Sequence, residues 1–218
     1  MIPWRKQPGC ILLLLLLPLA AAHSGGINYP AGSRQAGLAF SAITAQSPWA
    51  TFYNQASLAR LEDFRFGVMA ERKFGIQSLD AGAFSAAYPF EELGTVAVSF
   101  YQLSNGGAYT QQKYGLALSR AFGERLAIGM QFDAFSRSIQ EFEQDWHLTG
   151  EVGFQFKLDE QLTAGLHVFN PVGVNQEEDF NSLSPPTGTI GVGYEFSDKA
   201  ELHLATQQNI QHATRFRA

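Results

Sequence analysis

The feature that most constrains this chain is a pair of long, two-faced segments in its middle. In residues 126–134, aliphatic and aromatic side chains alternate with small and polar ones. Residues 146–158 repeat the alternation, with mostly aromatic and aliphatic side chains on one face and Gly, His, Glu and Gln on the other. Because successive side chains of a β-strand point to opposite faces, this period of two predicts strands with one apolar and one polar face.

The polar face of these strands has an unusual composition, because it mixes glycine with charged and amide side chains. Gly129 and Gly153 share it with residues such as Gln131, Glu151 and Lys157. Solvent-facing strands of soluble sandwiches are usually rich in Thr, Lys and Glu, and glycine weakens them. In a transmembrane β-barrel the outer face contacts lipid and the inner face is polar. The composition therefore favours a membrane β-barrel.

The N-terminus has the organisation of a Sec-type signal peptide. Arg5 and Lys6 precede an aliphatic run over residues 11–17, and small residues follow at 20–22. The apolar run is shorter than the ~20 residues that a membrane-spanning helix needs, so we interpret it as a signal and not as an anchor. The chain is divided accordingly into a signal peptide over residues 1–22, a plug-like segment over 23–63 and a barrel over 64–218.

The composition of the mature chain excludes several classes of function. Without Arg5 and Lys6 the chain keeps 13 basic against 20 acidic residues, a formal charge of −7. No basic patch is therefore available to hold nucleic acid. The only cysteine, Cys10, lies in the signal peptide, which excludes disulfides and thiolate chemistry from the mature chain.

The segment before the predicted barrel has a different character. Residues 31–45 are rich in small side chains and predict either one strand or a plug element. Ser47 and Pro48 are a typical helix start, with Ser as the N-cap and Pro at the first helical position. Apolar residues then recur at helical spacing, which predicts a short amphipathic helix over residues 48–61. This helix either packs on a core or plugs the lumen of a barrel.

Two stretches of this segment form a recognisable pattern, because residues 32–39 read GSRQAGLA and residues 47–59 read SPWATFYNQASLA. They resemble the N-terminal signature of the PorV/PorQ family, which typically shows GARxxGMGxA and DPWAxxxNPAGLA. Proteins of this family are outer-membrane proteins similar to the FadL-type barrels of fatty-acid transport. The chain has Gln55 where the family has Pro, and Ser57 where it has Gly. The plug-signature residues are Gly37, Pro48, Trp49, Asn54, Ala56, Leu58 and Ala59.

The resemblance implies an outer-membrane barrel of a bacterial cell with a short N-terminal plug. The PorV/PorQ group implies a link to type IX protein secretion, with outer-membrane lipids, secretion-machinery components and secreted cargo as partners. The relation to FadL-type barrels implies instead the passage of hydrophobic molecules. A third interpretation is a structural or secreted β-protein without transport activity.

The rest of the chain predicts an all-β antiparallel meander. The predicted strands cover residues 64–74, 79–88, 95–102, 113–122, 126–134, 146–158, 162–169, 189–196 and 200–207. Short turns alternate with longer loops, the turns at 123–125, 159–161 and 197–199 and the loops at 103–112, 135–145 and 170–188. Outer-membrane barrels show this alternation of periplasmic turns and extracellular loops. The short connection at 75–78 departs from it.

The odd number of strands bears on whether the barrel closes. Bacterial single-chain barrels have an even number of strands and leave no open edge in lipid. We therefore expect the barrel to be incomplete at the C-terminus and the chain to be a fragment. The alternative is that residues 37–45 supply a tenth strand.

The inner face predicts a polar lumen without catalytic chemistry. The candidate lumen-facing residues are Asp133, His147, Glu151, His167, Glu195 and His203. No motif combines a nucleophile, a base and an orienting group, and the histidines lack the close spacing of metal ligands. No glycine-rich stretch joins a strand to a helix, as a nucleotide site would require. We therefore predict no enzymatic activity, no metal and no cofactor, and lumen charges that form a structural network or line a pore.

Overall fold

The computed structural model describes residues 29, 31–141, 144–171, 186–197 and 199–209. The predicted signal peptide, the middle of the predicted loop at 170–188 and the residues after 209 lie outside these ranges.

Within these ranges, nine antiparallel strands form one sheet whose order follows the chain. They are β1 (Arg65–Arg72), β2 (Leu79–Phe90), β3 (Gly94–Asn105), β4 (Tyr109–Phe122), β5 (Leu126–Ile139), β6 (Asp145–Lys157), β7 (Leu162–Phe169), β8 (Thr187–Ser197) and β9 (Ala200–Asn209). Each strand pairs with the next one along the chain. The predicted all-β antiparallel meander is thereby confirmed. In the described residues β1 and β9 do not pair, so the sheet is not closed.

The connection between β3 and β4 is shorter than predicted. It covers residues 106–108, whereas the sequence predicted a loop over 103–112. Gln102 pairs with Gln112 in the ladder, and Gln112 Nε2 donates a hydrogen bond to Gln102 Oε1 at 2.8 Å. These positions were mistaken for a loop because the outer face becomes polar here, at Gln102 and Gln112, while apolar Tyr101 and Leu103 lie on the inner face. This reversal interrupts the expected period of two. β5 likewise continues to Ile139, beyond the predicted start of the next loop.

The predicted helix over residues 48–61 is wrong in type, because two 3₁₀ helices replace it. They are Pro48–Phe52 and Gln55–Arg60. Between them Asn54 has an extended backbone, and its side chain accepts a hydrogen bond from Ala56 N, as a helix N-cap does. Asparagine prefers caps to helix interiors, which explains the interruption. Ser47 does not cap the first 3₁₀ helix.

Residues 31–45 form no strand of the sheet. Ser33–Gly37 is a short helix, α1, and the chain then turns at Ala39 and Phe40, whose φ angles are 50° and 61°. The alternative in which residues 37–45 supply a tenth strand is therefore wrong. In the described part of the chain, no helix is both long enough and apolar enough to cross a membrane.

The sheet buries its polar face and exposes its apolar face. On neighbouring strands, Phe132 is 73% and Leu148 is 77% exposed, whereas Gln131 and Glu151 are 1% and 2% exposed. Residues 31–61, called the N-terminal segment below, cover the polar face, and the second 3₁₀ helix lies against β4, β5 and β6. The usual burial of apolar side chains is thus inverted in the sheet.

Two small apolar clusters lie between the N-terminal segment and the sheet. One contains Tyr29, Ala31, Ala81, Ala83, Tyr101 and Phe135. The other contains Ala50, Leu58, Ala87, Ala97 and Ala117. Alanine supplies much of this surface, so the polypeptide backbones of segment and sheet approach closely.

Candidate functional site

A row of glycines on the inner face of β5 to β8 makes room for the N-terminal segment. A Cβ atom added at Gly129 would overlap the backbone of Gln55 and Ala56, and one at Gly191 would lie 2.7 Å from Ile43 Cγ2. One at Gly153 would overlap Asn54 Oδ1. The absence of side chains at these positions lets the segment lie directly on the strands. This contact explains the unusual composition of the polar face.

Asn54 joins three parts of the molecule. Its side chain is fully buried. The amide Nδ2 donates to Ile43 O at 2.9 Å and to Phe154 O at 3.1 Å, and Oδ1 accepts from Ala56 N at 3.1 Å. The residue therefore ties the second 3₁₀ helix to the preceding loop and to β6.

The other plug-signature residues differ in their surroundings. Ala56 and Leu58 are fully buried. Trp49 covers Gly32 and Gly67, where an added Cβ would come within 2.8 and 2.7 Å of its ring. Pro48, Ala59 and Gly37 are not buried, and Gly37 meets no neighbour at its Cβ position.

Four ionisable side chains meet on the inner face of four adjacent strands. They are Lys113 of β4, Asp133 of β5, Glu151 of β6 and His167 of β7, and all are buried. Lys113 Nζ lies 3.4 Å from Asp133 Oδ1 and also contacts Glu151 Oε1. His167 Nε2 lies 2.8 Å from Glu151 Oε2. We call these four residues the buried ion cluster.

Aromatic rings surround the ammonium group of this cluster. Lys113 Nζ lies 5.5–5.8 Å from the ring centroids of Tyr29, Phe52, Phe135 and Phe169. Buried charges are tolerated when they are paired and hydrogen-bonded, and ring faces attract a cation. The rings and the carboxylates together therefore compensate the charge of Lys113.

A cavity of about 220 Å³ adjoins the buried ion cluster between the N-terminal segment and the sheet. Lys113, Glu151 and His167 form part of its polar wall. The apolar wall includes Tyr29, Phe40, Phe52 and Phe169. We call this space the first cavity.

A second cavity of about 290 Å³ lies nearer the end of the sheet that carries the turn at 158–161. Its charged lining residues are Arg34, Arg60, Lys157, Glu160, Glu195 and Glu201. His203 Nδ1 lies 3.1 Å from Thr44 Oγ1. The lining of this second cavity contains positively and negatively charged side chains and few apolar ones.

The six candidate lumen-facing residues fall into three groups. Asp133, Glu151 and His167 meet in the buried ion cluster, and Glu195 and His203 line the second cavity. His147 is half-buried on β6, separate from both groups. The prediction missed Lys113, although the alternation along residues 113–122 places it on the polar face with Gly115.

Two tyrosines belong to the N-terminal part of the molecule, and Tyr29 is buried whereas Tyr53 is half-buried. Tyr53 Oη accepts from Ala31 N at 3.0 Å and donates to Ala31 O at 2.8 Å. Tyr29 Oη accepts from Gln111 Nε2 at 2.7 Å. Burial raises the pKa of both phenols well above the usual range, so both stay neutral near pH 7.

The described residues contain no group of three or more His, Cys, Asp or Glu side chains that could hold a metal ion. Comparisons with protein-family models, curated proteins and solved structures found no match to this chain.

Proposed function

We propose that this chain is an outer-membrane β-barrel protein of the PorV/PorQ type, associated with type IX protein secretion, with the N-terminal segment as its plug. One observation carries the proposal: the sheet exposes its apolar face and buries its polar face against that segment. Large exposed apolar patches are unfavourable in water. In a bilayer, lipid chains would cover this face while the polar face stays inside.

Aromatic side chains at both ends of the apolar face support a membrane position. At one end the rings of Phe100, Tyr114 and Trp146 pack together, with centroids 5.1 and 6.0 Å apart. At the other end exposed rings include Phe64, Tyr88, Phe90, Phe122, Phe156 and Phe196. Such girdles mark the two interfaces of outer-membrane barrels.

The length of the apolar face also fits a bilayer. From Trp146 to Phe156 a strand rises about 33 Å at ~3.3 Å per residue. With the strand tilt of ~40° found in barrels, this length spans about 25 Å of membrane, the usual height of the apolar band. Beyond Tyr114, the outer face of β4 continues with the polar residues Gln112 and Thr110.

Closure is part of the proposal. In hydrocarbon every backbone N–H and C=O must find a partner, so a sheet edge cannot face lipid. We therefore propose that the outer edges of β1 and β9 are paired in the membrane-inserted protein.

The resemblance of residues 32–39 and 47–59 to the PorV/PorQ signature supports the secretion role. Within that signature, Asn54, Ala56 and Leu58 are buried between segment and sheet, as plug residues would be.

The aromatic wall of the first cavity favours a second candidate function, the passage of hydrophobic molecules as in FadL-type barrels. In a strain that lacks this protein, accumulation of normally secreted cargo inside the cell supports the secretion role. Loss of the uptake of hydrophobic compounds supports the second function.

Membrane fractionation tests the barrel itself. We expect the protein in the outer-membrane fraction of a Gram-negative host, extracted only by detergent and shifted in gel mobility when it is heated. Recovery from the soluble fraction as a monodisperse protein without detergent would overturn the proposal, because the apolar face would then be stable in water.

A further inference from the structure

One wall of the second cavity is already neutralised by contacts within the protein. Glu201 contacts Arg34 through Oε1, and its Oε2 lies 3.2 Å from His203 Nε2. His203 Nδ1 in turn lies 3.1 Å from Thr44 Oγ1. These contacts fasten α1 and the following loop to β9, so the charges available to a ligand lie elsewhere in the cavity.

Four other charged side chains of the lining have no ionic partner in the described ranges. Arg60 and Lys157 have no carboxylate oxygen within 4.0 Å, and Glu160 and Glu195 have no basic nitrogen within that distance. Arg60 Nη2 donates to the backbone carbonyl of Glu124 at 2.5 Å, which leaves its charge unpaired. Two positive and two negative groups therefore line one space, and a ligand that carries both signs of charge would match them.

Positive and negative groups of this lining lie on different strands. Lys157 of β6 pairs with Thr163 of β7, which pairs with Gly193 of β8, two residues before Glu195. Neighbouring strands are ~4.8 Å apart, so Lys157 and Glu195 start from backbones about 10 Å apart across β7. This separation favours a ligand whose two charges lie at its opposite ends.

A buried hydrogen-bond acceptor belongs to the same lining. Gln155 is 2% exposed, and its Nε2 donates to Thr44 O at 3.0 Å and to Ser57 Oγ at 3.2 Å. Its Oε1 is buried and has no donor among the described residues. Buried polar atoms are normally hydrogen-bonded, so an N–H group of a ligand in the cavity would complete this amide.

We propose that the second cavity binds a small zwitterionic peptide of about two residues. Its carboxylate lies near Arg60 and Lys157, and these contacts are charge-assisted hydrogen bonds. Its ammonium group lies near Glu160 and Glu195. Its peptide N–H is the donor that Gln155 lacks.

The dimensions of the cavity agree with this ligand. Two extended residues span roughly 7 Å, which fits between side chains whose backbones are about 10 Å apart. The volume of about 290 Å³ lies just below the ~300 Å³ lower bound for drug-sized ligands, so the ligand is small. The proposal concerns this cavity alone and does not depend on the cargo of the barrel.

Calorimetric titration of the full chain in neutral detergent at low ionic strength tests the proposal with three probes of similar shape. They are alanyl-alanine, N-acetyl-alanyl-alanine and alanyl-alanine amide, each corrected with empty micelles. We expect saturable binding of alanyl-alanine, about tenfold tighter than that of either blocked form, because each blocked form has lost one charge. Equal affinity for the three probes, preference for a blocked form, or no saturable binding of alanyl-alanine would overturn the proposal.

Two substitutions assign the two ends of the peptide. Lys157→Gln is expected to weaken alanyl-alanine binding about tenfold and to leave the amide unaffected, because the amide has no carboxylate. Glu195→Gln is expected to weaken alanyl-alanine binding by about as much and to leave the N-acetyl form unaffected. This crossed pattern measures each charge pair separately. Equal losses for all three probes in either variant would contradict the assignment.

The matched controls remove exposed charges that do not line the cavity. They are Lys199→Gln and Glu91→Gln, and we expect both to leave alanyl-alanine binding unchanged. Lys157 and Glu195 are themselves exposed, so their substitution should leave the fold intact. Losses in the controls equal to those in the cavity variants would overturn the proposed site.

Discussion

At the scale of single residues, the contact between Asn54 and Gly153 shows how the sheet accepts a polar side chain. The Asn54 amide lies where a Cβ of residue 153 would stand, and it also donates to Ile43 O and Phe154 O. One missing methyl group on β6 therefore allows three hydrogen bonds of one side chain to form.

Gly153→Ala is expected to lower the free energy of unfolding by about 1–3 kcal/mol, because the added methyl overlaps Asn54. The matched control is Gly150→Ala on the same strand, where the nearest atom to an added Cβ is Gln131 O at 3.5 Å. It should change stability by less than about 0.5 kcal/mol. The urea concentrations at the unfolding midpoints of both variants, measured in detergent, test this expectation. Equal effects of the two substitutions would contradict the close fit between Asn54 and Gly153.

Tyr53 predicts an alkaline limit for the docking of the N-terminal segment. Burial raises the pKa of its phenol, whereas the undocked phenol ionises near pH ~10. The stabilisation of the docked state by the neutral phenol is therefore complete below pH ~10, and it decreases as the pH rises above that value. Trp49 emission in a background with Trp4→Phe and Trp146→Phe measures this transition.

The control for this prediction is Tyr53→Phe, which cannot ionise. It should dock more weakly at neutral pH, because Ala31 loses two hydrogen bonds, and its alkaline transition should be shallower. An identical pH dependence in both proteins would mean that Tyr53 does not control docking.

At the scale of elements, polar contacts hold the N-terminal segment on the sheet. Gln155 Nε2 donates to Thr44 O at 3.0 Å, and Gln131 Nε2 donates to Thr51 O at 3.0 Å. The apolar clusters beside them consist mainly of alanine and a few rings. Hydrogen bonds in a buried network strengthen one another, so the removal of one member weakens the others.

Asn54→Ala should therefore undock the segment and leave the sheet intact. We expect a loss of about 2–3 kcal/mol in docking free energy, because the hydrogen bonds of this side chain with Ile43 O, Phe154 O and Ala56 N are lost together. The Trp49 emission should shift to longer wavelength while the far-ultraviolet β-sheet spectrum is retained. Gln46→Ala, which removes an exposed amide of the same segment, is the control. Loss of the sheet spectrum in Asn54→Ala would contradict independent docking.

The elements differ in how well the sequence predicts them. The middle of each strand was predictable, because one apolar and one polar face give a clear period of two. The ends of β3 and β4 were not, since the outer face turns polar at Gln102 and Gln112 while Tyr101 and Leu103 lie on the inner face. The interruption of the predicted helix at Asn54 accompanies its hydrogen bonds to Ile43 O and Phe154 O. Ile43 lies before the predicted helix and Phe154 lies 100 residues away, so helical spacing does not reveal these contacts.

The candidate site was predictable in part for the same reason. Alternation along the strands assigns Asp133, Glu151 and His167 to one face. It does not reveal that strand register brings them together, or that Lys113 pairs with two of them. Tyr29 precedes every predicted strand and helix, so only the fold reveals that it contacts this group.

At the scale of the whole molecule, the two faces of the sheet predict opposite environments for the two tryptophans of residues 31–209. Trp146 stands at the end of the exposed apolar face, and Trp49 covers glycines of the inner side. The proposed membrane position therefore predicts that Trp146 contacts lipid acyl chains and that Trp49 does not.

In vesicles of brominated lipids, the emission of Trp146 should be quenched and that of Trp49 should not. Trp49→Phe and Trp146→Phe, each in a Trp4→Phe background, isolate the two signals. Because heavy-atom quenching needs contact with the acyl chain, quenching of Trp49 equal to that of Trp146 would contradict the orientation of the sheet.

The hydrogen bond from Asn54 to Phe154 joins residues 100 positions apart. Contacts of such separation form late, because the intervening chain must first be ordered. The surface that receives residues 43–58 exists only after β5 to β8 have assembled side by side. During biogenesis these residues leave the ribosome before the strands do, yet they reach their final position after them, so their polar side chains must remain solvated until the sheet is complete.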